Sequence, residues 1–580
     1  MTKRPTSTAW YSPPQLLRTG VRVAISTVFG EFADRRIAIA AADPSGPEAL
    51  DPVHDYHDRG AGDFWLDYLA DTGDGWDATY AMARLVSARE LRPDGAAQPL
   101  PRGSLLILGG DQVYPTASRD DYQARLRDPF DRAAAWADIG ERGAGDLYAI
   151  PGNHDWYDGL EAFIGNFCRR RRAGGFAVAR AGAAIGGRST QQTRSYFAIR
   201  LPGGWWLWGA DIQLTDFIDQ PQVDYFAHVA ANWMEKGSKL ILCSGKPSWE
   251  YCEDGFVDPS FVGFSYLERI AETAGHQVSL VLSGDSHHYA HYVGDGRHYL
   301  TCGGGGAFLH PTHHLPDHIH VAQQAEQPAR GFDLARDADG RPALYPDRAT
   351  SRGLTWRNLG FAALNWQYSA TLFVAYLLFD WLLDSRAAAA GMGSLAMALA
   401  SIDTPGAALC TLSGLFFSSP APPILFAFSV VGYSYAADVR ANVARWLVGG
   451  GHALAHLALV LLSAWLAARG AGDHGRWPVL LFAAVAAAAA SATLFGIYLL
   501  AMLNLFGRHW NEAFSSLRIA RYKAFLRLRI RPDGSLEVYP VGLTDVPSEP
   551  RSSEAAPLNP ALEPYLIEQP IRIATLPRLP

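Results

Sequence analysis

The sequence predicts an α/β domain built on several buried strands, joined to an all-α membrane domain and followed by a β-hairpin. Three observations predict it. Between about Ile107 and Leu309 short apolar runs alternate with polar, helix-compatible stretches. Between Phe361 and Gly507 only ten charged side chains occur, five Asp and five Arg, in a chain that is 18% charged overall. Beyond that block, charged sequence alternating with apolar residues resumes around a Pro-Asp-Gly turn. Together these exclude a single soluble globule and a disordered chain.

The strands come first. Leu105–Leu108 ends in Gly-Gly-Asp-Gln, Leu147–Ile150 in Pro-Gly-Asn-His-Asp, Leu240–Cys243 in Ser-Gly-Lys-Pro, and Leu280–Leu282 in Ser-Gly-Asp-Ser-His-His. Buried strands that deliver polar residues at their C-terminal ends are how open α/β sheets build sites. Trp205–Trp208 and His298–Thr301 add two more strand candidates. Residues Pro311–Arg357, rich in His, Asp, Arg and Pro, read as a polar connector.

The apolar block follows. Its pattern predicts about four spans, Phe361–Leu383, Ala421–Ala437, Trp446–Ala468 and Trp477–Phe506, with Ala387–Ile402 as a weak fifth. With the soluble domain inside, the inner flanks hold Arg348, Arg352, Arg357, Arg440, Arg445, Arg508, Arg518, Arg521 and Lys523, against Arg386, Arg469 and Arg476 outside. This bias predicts a multi-pass protein of the cell (inner) membrane with a cytoplasmic catalytic domain and C-terminus. Met1–Ser12 has no apolar stretch before a small-residue cleavage site, so no secretory signal is expected. Five cysteines without CxxC spacing fit a reducing compartment. The charges of the apolar block cancel, so the net charge of -7 belongs to the soluble part and nucleic acid is not an expected partner.

After the last span, Phe525–Ile530 and Ser535–Val541 flank the turn, and an isolated hairpin is marginally stable, so docking on the catalytic domain is expected. Beyond Val546 the Pro-rich sequence reads as an irregular tail. The expected segments are therefore 1–350 (catalytic, with an N-terminal extension), 351–507 (helical, transmembrane), 508–546 (hairpin) and 547–580 (tail).

Four polar clusters appear in order: Leu69-Ala-Asp71-Thr-Gly-Asp74, Gly110-Asp111-Gln-Val-Tyr114, Gly152-Asn153-His154-Asp155 and Gly284-Asp285-Ser-His287-His288. With these blocks the chain resembles the calcineurin-like metallophosphoesterase superfamily, in the motif variant found in purple acid phosphatases. The resemblance covers roughly Asp67–Leu309. It implies a two-sheet sandwich flanked by helices, with one or two divalent or trivalent metal ions (Mn, Fe or Zn) at the strand ends. Two metals can clamp a phosphoryl oxygen and activate water near neutral pH. By the resemblance Asp111 would bridge them, Asp71 and His287 would hold the first, and Asn153 and Asp285 the second. His154, oriented by Asp155, would stabilise or protonate the leaving oxygen.

Three departures from the pattern bear on that site. Gly73 and Tyr114 stand where many members have a His and an Asp, a joint change that makes Tyr114 a candidate ligand. Asp285 replaces a His, which favours harder metals. Gly245, in Cys243-Ser-Gly-Lys-Pro, occupies the ligand position of the expected H-x-P block. Lys246 then reads either as a charge for the substrate phosphate or missing metal, or as a solvent-facing loop lysine. His288 reads equally as a substrate contact or a bystander. Gly303–Gly306 is better read as a close-packed turn than as a phosphate cradle, and His310, His313 and His314 as loop residues. Arg169–Arg172 is a basic lip or a solvated loop. His452 and His456 share one helix face inside a span, as interhelical hydrogen-bond partners or as a transport or ligand site.

The function the resemblance implies is a membrane-anchored phosphoesterase that hydrolyses a phosphomonoester or phosphodiester by metal-bound hydroxide. Its expected partners are a phosphate ester, lipid-linked or membrane-proximal, and the lipid bilayer. Two alternatives stand beside it: a sensor or scaffold with weak catalysis, suggested by Gly245, and a transporter with a regulatory domain, suggested by the span histidines.

Overall fold

The computed structural model describes residues 4–30, 53–59, 62–168, 184–212, 216–322, 329–471, 475–550, 552 and 555–574. Arg169–Arg172 lies outside the described residues. The chain divides into two compact units, one of Met1–Thr8, Arg18–Ser351 and Arg518–Pro580, the other of Ala9–Leu17 and Arg352–Leu517.

The first unit is a sandwich of two mixed sheets. In one sheet Phe64–Leu69, Leu105–Leu108 and Asp146–Ala149 run parallel, with Leu69 opposite Leu108 and Leu108 opposite Ala149. In the other, Trp205–Ala210, Lys239–Ser244, Gln277–Ser283 and Arg297–Cys302 run parallel. Each strand alternates between two cores, as the period of a strand requires. Leu105 and Ile107 pack inward with Tyr68, Leu207, Ile241 and Leu280 between the sheets. Leu106 and Leu108 pack outward with Met82, Leu85 and Phe130 of the helices Trp76–Ser87 and Asp128–Trp136. Gln220–Asn232 and Pro259–Thr273 cover the far side of the second sheet.

The strands Lys523–Ile530 and Leu536–Leu543 extend the first sheet. Lys523–Ile530 lies antiparallel to the strand that leads into Asp71, with Leu526 opposite Tyr68. Arg527 on this hairpin meets Asp67 in a two-pronged pair, Nε to Oδ1 at 2.6 Å and Nη2 to Oδ2 at 3.1 Å, and both side chains are fully buried.

Two stretches read as irregular are ordered by partners that the local sequence does not announce. The polar connector contributes His318–Val321, Arg330–Leu334 and Leu344–Tyr345 to the second sheet. All three are short, and polar residues alternate with apolar ones in His318–Val321 and Arg330–Leu334, so the local sequence shows no long apolar run. In the Pro-rich tail Tyr565–Leu566 and Ile571–Ile573 pair with Leu536–Leu543. Prolines are tolerated near such edge strands.

The second unit is helical. Two of its helices, Asn442–Gly470 and Arg476–Phe506, are long and apolar enough to cross a membrane; a third crossing results if Pro405–Phe417 and Ala421–Ala436, bent by 95°, form one. About four spans are expected from the sequence; among the described residues two helices, or three crossings with the bent pair, meet that test. The proposed first span is a helix, Trp366–Ala389, broken from the turn Phe361–Leu364 at Asn365 and diluted by Gln367, Asp380, Asp384 and Arg386. Ala387–Ile402 holds only the end of that helix and the short Leu395–Ala400. In the Ala-rich stretch Ala483, Ala484, Ala487 and Ala488 form the buried face of the last long helix.

Candidate functional site

The parallel register of the first sheet carries Asp71, Asp111 and Asn153 to one edge, just past the strands that precede them. Backbone bonds knit that edge together. Asp71 N–H donates to Gly110 O at 3.0 Å, Thr72 N–H to Asp111 O at 3.0 Å, and Ala307 N–H to Asp71 O at 2.9 Å. Asp71, Asp111 and Asp285 all adopt left-handed backbone, with φ of 57°, 49° and 64°. Asp tolerates this region better than most residues, and strain of this kind clusters where side chains must be aimed.

The aim is inward, onto Tyr114. Its hydroxyl lies 2.9 Å from Asp71 Oδ1, 3.2 Å from Asp111 Oδ2 and 2.8 Å from His287 Nε2. The His287 ring is fixed from behind: Nδ1 donates to Phe308 O at 2.7 Å, which leaves the Nε2 lone pair facing the phenol. His310 stacks on this ring, centroids 3.9 Å apart, and its Nδ1 accepts from His287 N–H at 3.0 Å.

A phenol has one proton to give, and three acceptors converge on it. Two further acceptors, Asp71 Oδ2 and Asn153 Oδ1, are buried without a hydrogen-bond partner. Lone pairs therefore outnumber protons, the condition that a bound cation relieves. Among the described residues no three His, Cys, Asp or Glu side chains close on one point by themselves; the point they share is the Tyr114 oxygen. Donors at right angles around a cation at about 2.1 Å stand roughly 3 Å apart, close to the separations from Tyr114. With the phenol as one donor, Asp71, Asp111, Tyr114 and His287 fit a hard divalent or trivalent ion.

Electrostatics agree with that excess. Burial, with Asp111 and Asp285 nearby, pushes the Asp71 carboxyl well above the usual range. Burial and Asp285 do the same to Asp111, and burial raises Asp285 against the pull of Lys246. Burial, then Asp111 and Asp71, raise Tyr114. Burial pushes His287 well below its ordinary value and His154 down to about 4, so both imidazoles are neutral near pH 7.

The other predicted residues fall around this core. Asp285 donates its N–H to Asp71 Oδ1 at 3.1 Å and accepts from Tyr251 O–H at 2.8 Å. Asn153 Nδ2 donates to Tyr157 at 3.1 Å. His154 N–H donates to Asp111 Oδ1 at 2.8 Å, and its Nδ1 bonds the carbonyl of Pro115 at 2.7 Å. That carbonyl, rather than Asp155, holds the ring. As the third residue of a short helix, Asp155 turns its carboxylate back to accept from Gly152 N–H at 2.9 Å, Gln112 N–H at 3.2 Å and the Tyr122 hydroxyl.

Lys246 is neither solvent-facing nor aimed at the carboxylates around Tyr114. Its ammonium bonds Asp258 at 3.0 and 3.2 Å and reaches Asp216 at 3.5 Å, above the Tyr251 ring. His288 is buried, with Nε2 3.2 Å from Glu250. Gly245 packs beside Gly110, its Cα 3.4 Å from where a Cβ on Gly110 would lie.

Gly73 explains a departure from the motif, and Gly303 packs closely as expected of the Gly303–Gly306 turn. Gly73 has φ +51°, and a Cβ there would lie 2.2 Å from Gln112 O, so no His fits. Gly303 lets Asp71 close in, since its Cβ would stand 2.4 Å from Asp71 Oδ2. Sequence reasoning assigned no role to Tyr251, and took His310 for a loop residue. It also missed Lys523 as part of the site. This lysine is fully buried on the hairpin and donates to Ala307 O; burial pushes it down to about 8, against the pull of Asp74 and Asp71. The signal that could have flagged it is its place at the head of the apolar–polar alternation Ala524–Ile530.

A family model described as calcineurin-like phosphoesterase matches residues 64–289, and the chain carries that domain there. No curated protein matches the chain in sequence. Among solved structures it is similar to GAP50, titled the anchor in the inner membrane complex of Plasmodium, at 11% identity over 48% of this chain and 82% of that one, TM-score 0.30. It is also similar to PhoD, at 10% identity over 44% of this chain and 59% of that one, TM-score 0.25. Likenesses this faint carry no chemistry across.

Proposed function

We propose that the protein is a membrane-anchored, metal-dependent phosphoesterase acting on a phosphomonoester or phosphodiester. The observation that carries the reading is the convergence of Asp71, Asp111 and His287 on Tyr114, with buried lone pairs left over at Asp71 and Asn153. A bound divalent or trivalent cation, Mn, Fe or Zn, would polarise a phosphoryl oxygen and lower the pKa of water. Asp71, Asp111, Tyr114 and His287 would hold one such ion; Asn153 and Asp285 are the donors for a second, which Gly245 leaves one protein ligand short.

The chain's own groups supply the rest. His154, held at Nδ1 by Pro115 O, keeps its ring at the mouth of the site with Nδ1–H fixed, so Nε2 is the atom that exchanges a proton with the leaving oxygen. Neutral near pH 7, its Nε2 would relay to the leaving oxygen the proton given up by the water that attacks phosphorus, so the proton and the hydroxide both end in the products. Tyr251 holds Asp285 by its O–H, and His310 and Phe308 keep His287 Nε2 turned inward. Asp155 acts through the backbone, fixing Gly152 and Gln112 beside Asp111. Lys246, committed to Asp258 and Asp216, positions that loop, and His288 braces Glu250.

The Arg bias at the ends of the apolar helices supports a catalytic unit and C-terminus on the cytoplasmic side of the cell membrane, which favours a membrane-proximal phosphate ester. The same features admit a second reading, a phosphoesterase-fold scaffold, favoured by Gly245 at the expected ligand position and by Lys246 spending its hydrogen bonds on Asp258 and Asp216. One experiment separates them. Detergent-purified protein is assayed with Mn, Fe, Mg or Zn against an aryl phosphate and its diester, beside Asp111→Asn and His154→Ala. Metal-dependent hydrolysis that both substitutions remove supports the enzyme; hydrolysis unaffected by them, or none with any metal, defeats it.

A further inference from the structure

The helical unit holds a file of titratable side chains that the phosphoesterase reading does not use. It starts at a solvent-facing end, where the exposed Glu512 lies 3.6 Å from the buried His509. His509 N–H donates to Asp438 at 2.9 Å, and its Nε2 bonds the Tyr498 hydroxyl at 2.8 Å. The Tyr498 ring lies 4.9 Å from His452, and His452 lies 4.7 Å from His456. His456 Nδ1 in turn accepts from Tyr376 at 2.6 Å, with the Tyr433 hydroxyl 3.1 Å away.

Tyr376 begins the second half. Tyr376, Asp380 and Asp384 follow one another at a spacing of one turn on the helix Trp366–Ala389, and so share a face. Asp384 lies 2.5 Å from Arg476, which is 41% exposed and opens the helix Arg476–Phe506 at the end opposite His509. The file thus runs from one end of the longest apolar helix to the other.

Its middle is out of balance. Asp380 is fully buried and neither carboxylate oxygen has a partner; Nε2 of His452 and of His456 is likewise buried and unpaired. Unpaired ionisable groups among apolar helices are costly, and leucine would pack there more cheaply. A structural polar contact would be closed by a partner. Here hydrogen bonds join Tyr498 to His509 and Tyr376 to His456, and the unpaired atoms lie between these bonded pairs, where water would link them into a path that passes a proton from one group to the next.

We propose that the helical unit conducts protons between its two ends, along Glu512, His509, Tyr498, His452, His456, Tyr376, Asp380 and Asp384. Each imidazole accepts a proton on one nitrogen and releases one from the other; Asp380 accepts and releases at its carboxylate. One proton enters from water at one end for each that leaves at the other, so nothing is consumed. The steps from Tyr498 to His452 and on to His456, which are ring contacts rather than hydrogen bonds, and the single-turn steps between Tyr376, Asp380 and Asp384 require bridging water.

The test uses the full chain reconstituted into phosphatidylcholine–phosphatidylglycerol vesicles loaded with a pH-sensitive dye, with a potassium gradient and valinomycin setting the voltage. Wild-type vesicles are expected to change internal pH faster than protein-free ones. Asp380→Asn and Tyr376→Phe, both nearly isosteric, are expected to return the rate to the protein-free leak while keeping the wild-type elution volume and helical circular dichroism. A wild-type rate equal to the protein-free leak overturns the proposal. So does a wild-type rate retained in both variants. Neither result bears on phosphate-ester hydrolysis, which the other unit carries.

Discussion

Asp67 and Asp71 belong to the same strand and its exit, and both are fully buried. Their surroundings are opposites. Asp67 has an arginine fork on both oxygens and a second guanidinium, Arg188, at 3.8 Å. Asp71 faces two other carboxylates, and the buried Lys523, on whose charge Asp71 pulls, donates to a backbone carbonyl. A carboxylate whose charge is balanced inside the chain holds the fold together. One that is left in deficit beside others of its kind is a place for charge from outside.

The contrast can be broken at either end. Asp111→Asn is expected to reduce hydrolysis on the order of 10^4-fold, about 5.5 kcal/mol of transition-state stabilisation, while the protein still folds; steady-state rates with added Mn check it. Arg527→Met leaves the buried Asp67 with only Arg188 at 3.8 Å and the Gly103 N–H at 3.3 Å, and should cost about 3–5 kcal/mol of stability, with part of that loss recovered in the double variant with Asp67→Leu. Urea titration of the three proteins reads this directly.

Gly303→Ala tests the edge of the deficit. A Cβ set against Asp71 Oδ2 and Ser286 O at 2.4 Å each should cost about 1–3 kcal/mol, and should weaken metal retention on dialysis. The smallest effect is on pH. Asp111 titrates well above its unfolded value, so the folded, metal-free protein binds more protons than the unfolded chain between the ordinary carboxylate pKa and that raised value. Its contribution to stability is full below that window and declines as pH rises through it. In chelator, Asp111→Asn should therefore gain on wild type in melting temperature from pH 4 toward 7, and added metal should reverse the order. A difference independent of pH would show that Asp111 is as balanced as Asp67.

The strand-end clusters were legible because each lies where an apolar run stops, a strictly local signal. The same locality explains what was hidden. Tyr114 stood out as a departure from a motif, but its place among Asp71, Asp111 and His287 depends on loops from distant parts of the chain. His310 looked like any loop histidine, since stacking on His287 leaves no trace in periodicity. The ion pair of Asp67 with Arg527 joins residues 460 positions apart. The extra short strands of the connector and tail are set by partners distant in the sequence. In the helical unit, apolar composition suggested more crossings than length and hydropathy allow, because Asp380 and Asp384 sit in the helix that was counted first.

The hairpin has a consequence in time as well as in space. The strand Phe64–Leu69 leaves the ribosome early, whereas its neighbour Lys523–Ile530 follows residues 346–522, which include every long apolar helix. At roughly 5–20 residues per second that interval is on the order of ten seconds or longer. Throughout it an apolar strand shows an open edge, the kind that recruits other chains. Completion of the sheet beside the carboxylates therefore waits on synthesis of the helical segment, and a chain that stalled there would carry an unfinished sheet.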